Sequence, residues 1–162
     1  MEYPVGNTQL NEVNEPLSIY VTRDLGKSSK ISFPDFFADK LLLIKAIKEG
    51  LPYKIFNQIK TFVLFSDAAW ADFLDISLKS LQRYSQEDAF RFKSIHSEKI
   101  LEIAEVTQFG IEVFGSFEKF EKWLNFPSYA LGGYKPAELI ADSYGKELVM
   151  AELNAIEHGI FV

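Results

Sequence analysis

The stretch DFFADKLLLIKAIKEG, Asp35–Gly50, sets the pattern for most of the chain. Its apolar residues recur at spacings of one, three and four, which places them on one face of a helix. These residues are Phe36, Phe37, Leu41, Ile44 and Ile47. Asp35 suits an N-cap, and Gly50 stands where a helix would stop. The stretch therefore predicts one helix that buries one face in a core.

The same periodicity continues towards the C-terminus as far as Ile156. Further predicted helices span 52–63, 67–74, 77–84, about 97–114, and 117–124, with a last one after Ser143. Ser66, Ser77, Ser116 and Ser143 occupy N-cap positions. Gly159 lies where the last helix should stop. We therefore expect an all-α chain of about seven to nine helices.

The N-terminal residues 1–34 look different. They contain Pro4, Pro16 and Pro34, and only Leu17–Val21 alternates enough to predict one short strand. We expect the rest to form an irregular arm. The sequence thus divides into this arm, a helical segment at 35–115 and a second helical segment at 116–162.

Composition limits the function classes. The 162 residues contain no cysteine, which excludes disulfides and thiolate metal sites. No segment approaches the roughly 20 apolar residues of a membrane helix, and no secretory leader is recognisable. These features predict a cytoplasmic protein without a membrane partner.

The net charge of −6 is unevenly distributed. Residues 76–99 carry five basic and three acidic side chains, whereas residues 100–162 carry four basic and ten acidic ones. An acidic C-terminal third repels phosphate and favours a basic partner surface. Only the middle segment is compatible with nucleic acid.

No catalytic constellation is visible. The two histidines, His96 and His158, are far apart in sequence and lack a second ligand at metal-binding spacing, so both are interpreted as solvated or structural. Gly132-Gly133 is not followed by the Lys and Ser or Thr of a phosphate-binding loop. We therefore predict no enzyme activity, no cofactor and no metal.

Residues 67–84 have the layout of two short helices around a tight turn at Asp75 and Ile76. In this layout Ala71, Leu74, Ile76 and Leu81 face the core. The outward side chains are Lys79, Ser80, Gln82 and Arg83, which are of the types that read base edges or hold phosphates. A plain helical hairpin with a polar outer face explains the pattern equally well. A local charge of +2 is small for DNA binding.

The run WLNFPSYALGGYKPAELIADSYGKELVMAELNAIEHGIF, residues 123–161, carries a more specific signal. It resembles the C-terminal toxin-binding domain of the Xre/MbcA/ParS antitoxin family. The matching positions are Trp123, Leu124, Pro127, Ala130, Leu131, Gly132, Gly133, Pro136, Leu139, Gly145, Val149, Leu153, Ile156, Glu157 and Gly159. Ser143 stands where the family usually has Thr. Upstream, Glu49–Pro52, Ile76–Arg83 and Glu112–Gly115 resemble, more loosely, the family's Xre-like helix-turn-helix domain.

The resemblance implies an Xre-like helix-turn-helix domain at 35–115 and a toxin-binding domain at 116–162. It implies an antitoxin that neutralises a RES-domain, NAD-consuming toxin, forms a homo-oligomer within the complex and represses its own operon. We expect toxin contacts at Gly132, Gly133, Glu157, Gly159, Ile160 and Phe161. For the last four, capping of the fold remains an alternative. The alternative function is a DNA-binding transcriptional regulator that contacts operator DNA.

Overall fold

The computed structural model describes residues 10–159, and this part of the chain contains helices and no strand. The expectation of an all-α fold is therefore confirmed for it. The described helices are α1 Glu15–Asp24, α2 Phe33–Ala38, α3 Lys40–Glu49, α4 Tyr53–Ile59, α5 Asp67–Leu74, α6 Leu78–Tyr84, α7 Ser94–Phe114, α8 Phe117–Leu124, α9 Pro136–Leu139 and α10 Ser143–Glu157. A 3-10 turn, Tyr129–Leu131, lies between α8 and α9.

The described residues form two compact units, 10–101 and 102–159. The chain passes from the first unit to the second within α7, whereas the sequence places a boundary after Gly115, just past the end of the same helix. Within residues 10–159 no helix has both the length and the apolar character needed to cross a membrane.

The predicted strand at Leu17–Val21 is wrong, and so is the irregular arm over this stretch, because these residues lie in α1. The side chain of Asn14 caps the helix by accepting a hydrogen bond from the Leu17 amide at 2.9 Å. Leu17, Tyr20 and Val21 are buried at helical spacing. A five-residue run fits both the two-residue period of a strand and the 3.6-residue period of a helix. The Asn14 cap and Pro16 in the first turn favour the helix.

Helix α1 is an integral part of the first unit. It packs against α4, and the Asn14 amide donates to the Gln58 side chain at 3.1 Å. Arg91 binds it at the other end, donating to Asp24 at 2.7 Å and to the Gly50 carbonyl at 3.1 Å. Residues outside the predicted helical segment therefore complete its core.

A small cleft of about 250 Å³ remains beside α1. Tyr20 lines it, and the Tyr20 hydroxyl is buried without a hydrogen-bond partner among residues 10–159. Burial raises the pKa of this phenol far above its usual range, although the nearby Arg91 opposes the shift. The phenol therefore stays protonated.

The single helix predicted over Asp35–Gly50 is divided in two. Ser32, rather than Asp35, is the N-cap of α2, and Asp39 has extended backbone dihedrals between α2 and α3. The Asp39 side chain accepts from the Leu42 amide and so caps α3. A cap-forming residue in the middle of an apolar period explains the break.

Aromatic rings fill the core of the first unit. Phe56 is fully buried and meets Trp70 and Phe92 edge-on, at centroid separations of 5.1 and 5.2 Å. The buried Ser97 hydroxyl accepts from the Leu51 amide at 2.8 Å and donates to the Phe92 carbonyl. Helix α7 begins at Ser94, three residues before the predicted start, so Ser97 lies inside its first turn.

Glycine allows close packing in the second unit. A Cβ added to Gly110 would lie 2.2 Å from the buried Phe120 ring, and one added to Gly145 would lie 1.9 Å from the Leu139 carbonyl oxygen. The N-cap of α10 is Asp142, so the prediction of Ser143 as the cap is wrong by one residue. The Asp142 carboxylate accepts from the Gly145 amide at 2.6 Å.

Candidate interaction surfaces

The predicted helix-turn-helix is present as α5 and α6. Ser66 and Ser77 are their N-caps, as predicted. Asp75 closes the turn with a left-handed φ of 54°, and the Ile76 amide donates to the Ala71 carbonyl at 3.0 Å. Asp tolerates this conformation better than most residues, so the tight turn forms without glycine.

The inward and outward faces are close to those predicted. Ala71, Leu74 and Leu81 are buried and Ile76 is half-buried. Lys79, Gln82 and Arg83 are exposed on α6. The structure thus leaves these three side chains accessible to a partner.

Ser80 differs from the other three predicted DNA contacts. It is half-buried, and its hydroxyl accepts from the Ser77 hydroxyl at 2.9 Å while its amide donates to the same Ser77 oxygen. Ser80 therefore takes part in the cap of α6. Arg83 has a second contact too, since its guanidinium lies 5.5 Å from the centre of the Tyr84 ring.

His96, at the start of α7, lies near two lysines and one aspartate. Burial lowers the pKa of His96, and Lys93 and Lys99 lower it further, whereas Asp75 in the helix-turn-helix turn opposes them. Lys93 is exposed. Cations are thus present next to the turn as well as on α6, which sequence counting alone did not locate.

The Gly132-Gly133 loop is closed on itself. The Gly133 amide donates to the Ser128 carbonyl at 2.8 Å, and the Ser128 amide donates to the Tyr134 carbonyl at 3.0 Å. Gly132 and Gly133 have φ of 70° and 85°, a conformation that residues with a side chain rarely adopt. A Cβ on Gly133 would meet nothing within 4 Å, so the loop presents open backbone at the surface.

Large side chains near this loop in sequence and at the start of α10 are exposed, and the sequence reasoning missed them as candidate contacts. Tyr129 is 94% exposed, Tyr144 83%, Phe126 71%, Tyr134 58% and Leu148 54%. The signal was available: Phe126, Tyr129 and Tyr134 fall outside any helical period. Trp123, in contrast, is half-buried and packs against Phe120 at a centroid distance of 6.0 Å.

The predicted C-terminal contacts are only partly described. Glu157 is exposed at the end of α10, and Gly159 is exposed with φ of 68° after the helix. Ile160 and Phe161 lie outside the described residues.

No cluster of three or more His, Cys, Asp or Glu side chains that could hold a metal ion occurs within 10–159.

Comparison with known families gives two matches. The antitoxin Xre-like helix-turn-helix domain matches residues 42–105, and the antitoxin Xre/MbcA/ParS C-terminal toxin-binding domain matches residues 110–159. No curated protein sequence matches the chain significantly. The two family matches together cover well over half of the chain and coincide with the helix-turn-helix and with the Gly132-Gly133 loop and α10. The protein therefore belongs to the Xre/MbcA/ParS family of antitoxins.

Proposed function

We propose that this antitoxin neutralises a RES-domain toxin, which consumes NAD, by binding it through the C-terminal unit. The observation that carries the proposal is the match of residues 110–159 to a toxin-binding domain, together with its exposed Gly132-Gly133 loop. The acidic residues 100–162 suit a basic partner. Both matched domains are those of a regulator, and we propose no reaction catalysed by the chain.

The proposed contact residues are Gly132, Gly133, Glu157, Gly159, Ile160 and Phe161. The exposure of the described four supports this set. A carboxylate at Glu157 would pair with a cation on the toxin. We propose that the complex forms in the cytoplasm and contains more than one copy of the antitoxin.

Co-expression with a RES-domain toxin, which the proposal places in the neighbouring reading frame, tests the proposal. We expect the toxin alone to deplete cellular NAD and stop growth, and the antitoxin to restore both and to co-purify with the toxin. NAD depletion that continues in the presence of abundant folded antitoxin would refute neutralisation. Co-purification without restored NAD would refute inhibition by binding.

A second proposed function is binding of operator DNA. The exposure of Lys79, Gln82 and Arg83 on α6 supports it, as does the exposed Lys93 just before α7. Because the local charge is small, we expect the isolated protein to bind DNA weakly. In the complex, two copies of the antitoxin would bind two operator half-sites at once and so raise the affinity for DNA.

A further inference from the structure

Resting on the proposed function, we propose that the toxin is held chiefly by an aromatic surface that surrounds the Gly132-Gly133 loop. This aromatic surface consists of the rings of Phe126, Tyr129, Tyr134 and Tyr144 together with the aliphatic side chain of Leu148. Every one of these residues lies within the segment matched to a toxin-binding domain. The glycines and the C-terminal residues would then shape the contact while the aromatic rings bind.

The members of the aromatic surface are connected by the fold. Tyr129 begins the 3-10 turn, and the hydrogen bonds at Ser128 bring Tyr134 back beside it. The 3-10 turn packs against α10, whose first two turns carry Tyr144 and Leu148. The loop and the helix thus belong to one packed region of the second unit.

The degree of exposure requires an explanation. Tyrosine usually buries its ring and leaves only its hydroxyl in water, yet Tyr129 and Tyr144 are almost fully exposed. Aromatic side chains bury roughly 150–250 Å² each when they become covered. Together the five side chains offer several hundred Å² of exposed surface, which is ample for the centre of an interface.

The surface is also held in place before binding. Tyr129 lies on a hydrogen-bonded turn, and Tyr144 is the second residue of α10, whose N-terminus Asp142 caps. Tyrosine has few rotatable bonds, so little conformational entropy is lost when a partner covers it. Tyrosine is for the same reason enriched among the residues that dominate binding energy.

Charge favours the toxin over a second copy of the chain. Glu138 on α9, the α10 cap Asp142 and Glu147 on α10 are exposed, and residues 100–162 carry six more acidic than basic side chains. Two copies joined through this surface would bring like charges together, which is unfavourable. A toxin whose contact surface is basic around an apolar centre fits both the rings and the carboxylates.

The test uses the full-length antitoxin and the purified RES-domain toxin in a calorimetric titration. Tyr129→Ala and Tyr144→Ala should each weaken binding about thirty-fold, with melting temperatures near that of the wild type. Leu41→Ala is the matched control, because Leu41 is 72% exposed on α3 in the other unit. It should leave the affinity unchanged.

Hydrogen exchange on the wild-type complex gives a second reading that does not depend on the folding of a variant. Toxin should protect amides in 129–134 and 144–148. Wild-type affinity in folded tyrosine variants, or no protection there, would overturn the surface while leaving the proposed function intact. Loss of self-association in the variants with unchanged toxin affinity would overturn it in favour of a second copy. A wild-type antitoxin that does not bind the toxin at all would refute the proposed function and the surface with it.

Discussion

Replacing Gly145 with alanine probes the closest backbone approach in the second unit. Gly145 lies in the first turn of α10 and packs against Leu139, the last residue of α9. A Cβ at this position would lie 1.9 Å from the Leu139 carbonyl oxygen, 2.7 Å from its carbonyl carbon and 2.9 Å from its Cα. All three atoms are backbone, so no rotamer change relieves the overlap, and α9 must move away from α10.

Two opposing effects determine the size of the loss. Alanine favours a helix over glycine by up to about 1 kcal/mol, partly because it restricts the unfolded chain. Overpacking costs typically about 1–3 kcal/mol, and an overlap with backbone belongs at the upper end. We therefore expect Gly145→Ala to lower the free energy of unfolding by about 2 kcal/mol. For a unit of this size, that corresponds to a melting temperature roughly 10 °C lower.

Urea unfolding followed by circular dichroism measures this change. Ser143→Ala is the control, because Ser143 lies two residues earlier in the same turn, is exposed and is not the helix cap. Its effect should stay within about 0.5 kcal/mol. An unchanged or higher unfolding midpoint for Gly145→Ala would show that α9 and α10 are not in this close contact.

Three further predictions concern the first unit. Tyr20→Phe removes a buried hydroxyl without a partner among residues 10–159, so it should raise the free energy of unfolding by about 1 kcal/mol in urea titrations; a clear loss would show that the hydroxyl is bonded. Burial, Lys93 and Lys99 lower the pKa of His96, so the unfolded chain binds the proton more readily. Stability should therefore fall as the pH drops through about 6.5, and His96→Gln should flatten this dependence when unfolding midpoints at pH 5 and pH 8 are compared. Arg83→Ala should lower the salt slope of DNA binding by about one unit in anisotropy titrations, and a tight sequence-specific footprint by the isolated wild type would contradict the weak binding that we expect.

Local periodicity predicted the existence of α4 to α8 and of α10, although α4 ends four residues before its predicted end and α7 begins three residues before its predicted start. The caps at Ser66, Ser77 and Ser116 were predictable because a serine directly before an apolar helical period is favoured as the N-cap of that helix. The failures came where two residues compete for the same role. Asp142 and Ser143 are both good caps, and only the packing of α10 against α9 decides between them.

The N-terminal helix was not predictable for a different reason. A short run such as Leu17–Val21 contains too few residues to separate a period of two from a period of 3.6. The Asn14 cap and Pro16 in the first turn are local signals for the helix, whereas the contacts with α4 and Arg91 that hold it in place come from residues far away in sequence. Such contacts leave no trace in a local pattern.

The candidate surfaces were predictable in part. The outward side of α6 followed from helical geometry, since Lys79, Gln82 and Arg83 lie opposite the buried Leu81. Ser80 was assigned to DNA, although its hydroxyl faces Ser77. The exposed rings of Tyr129 and Tyr144 were overlooked, because aromatic residues are usually buried and only coordinates show which ones are not.

The attachment of α1 has a consequence for where this antitoxin can be divided. The family match begins at residue 42, yet Leu17 and Val21 of α1 are fully buried, and Phe33 of α2 meets Phe62 at a centroid distance of 5.1 Å. A fragment cut at the limits of the family match would therefore expose apolar surface that the intact chain covers. We therefore expect the smallest piece that folds cooperatively to be larger than the family match, because α1 and α2 cover one side of its core.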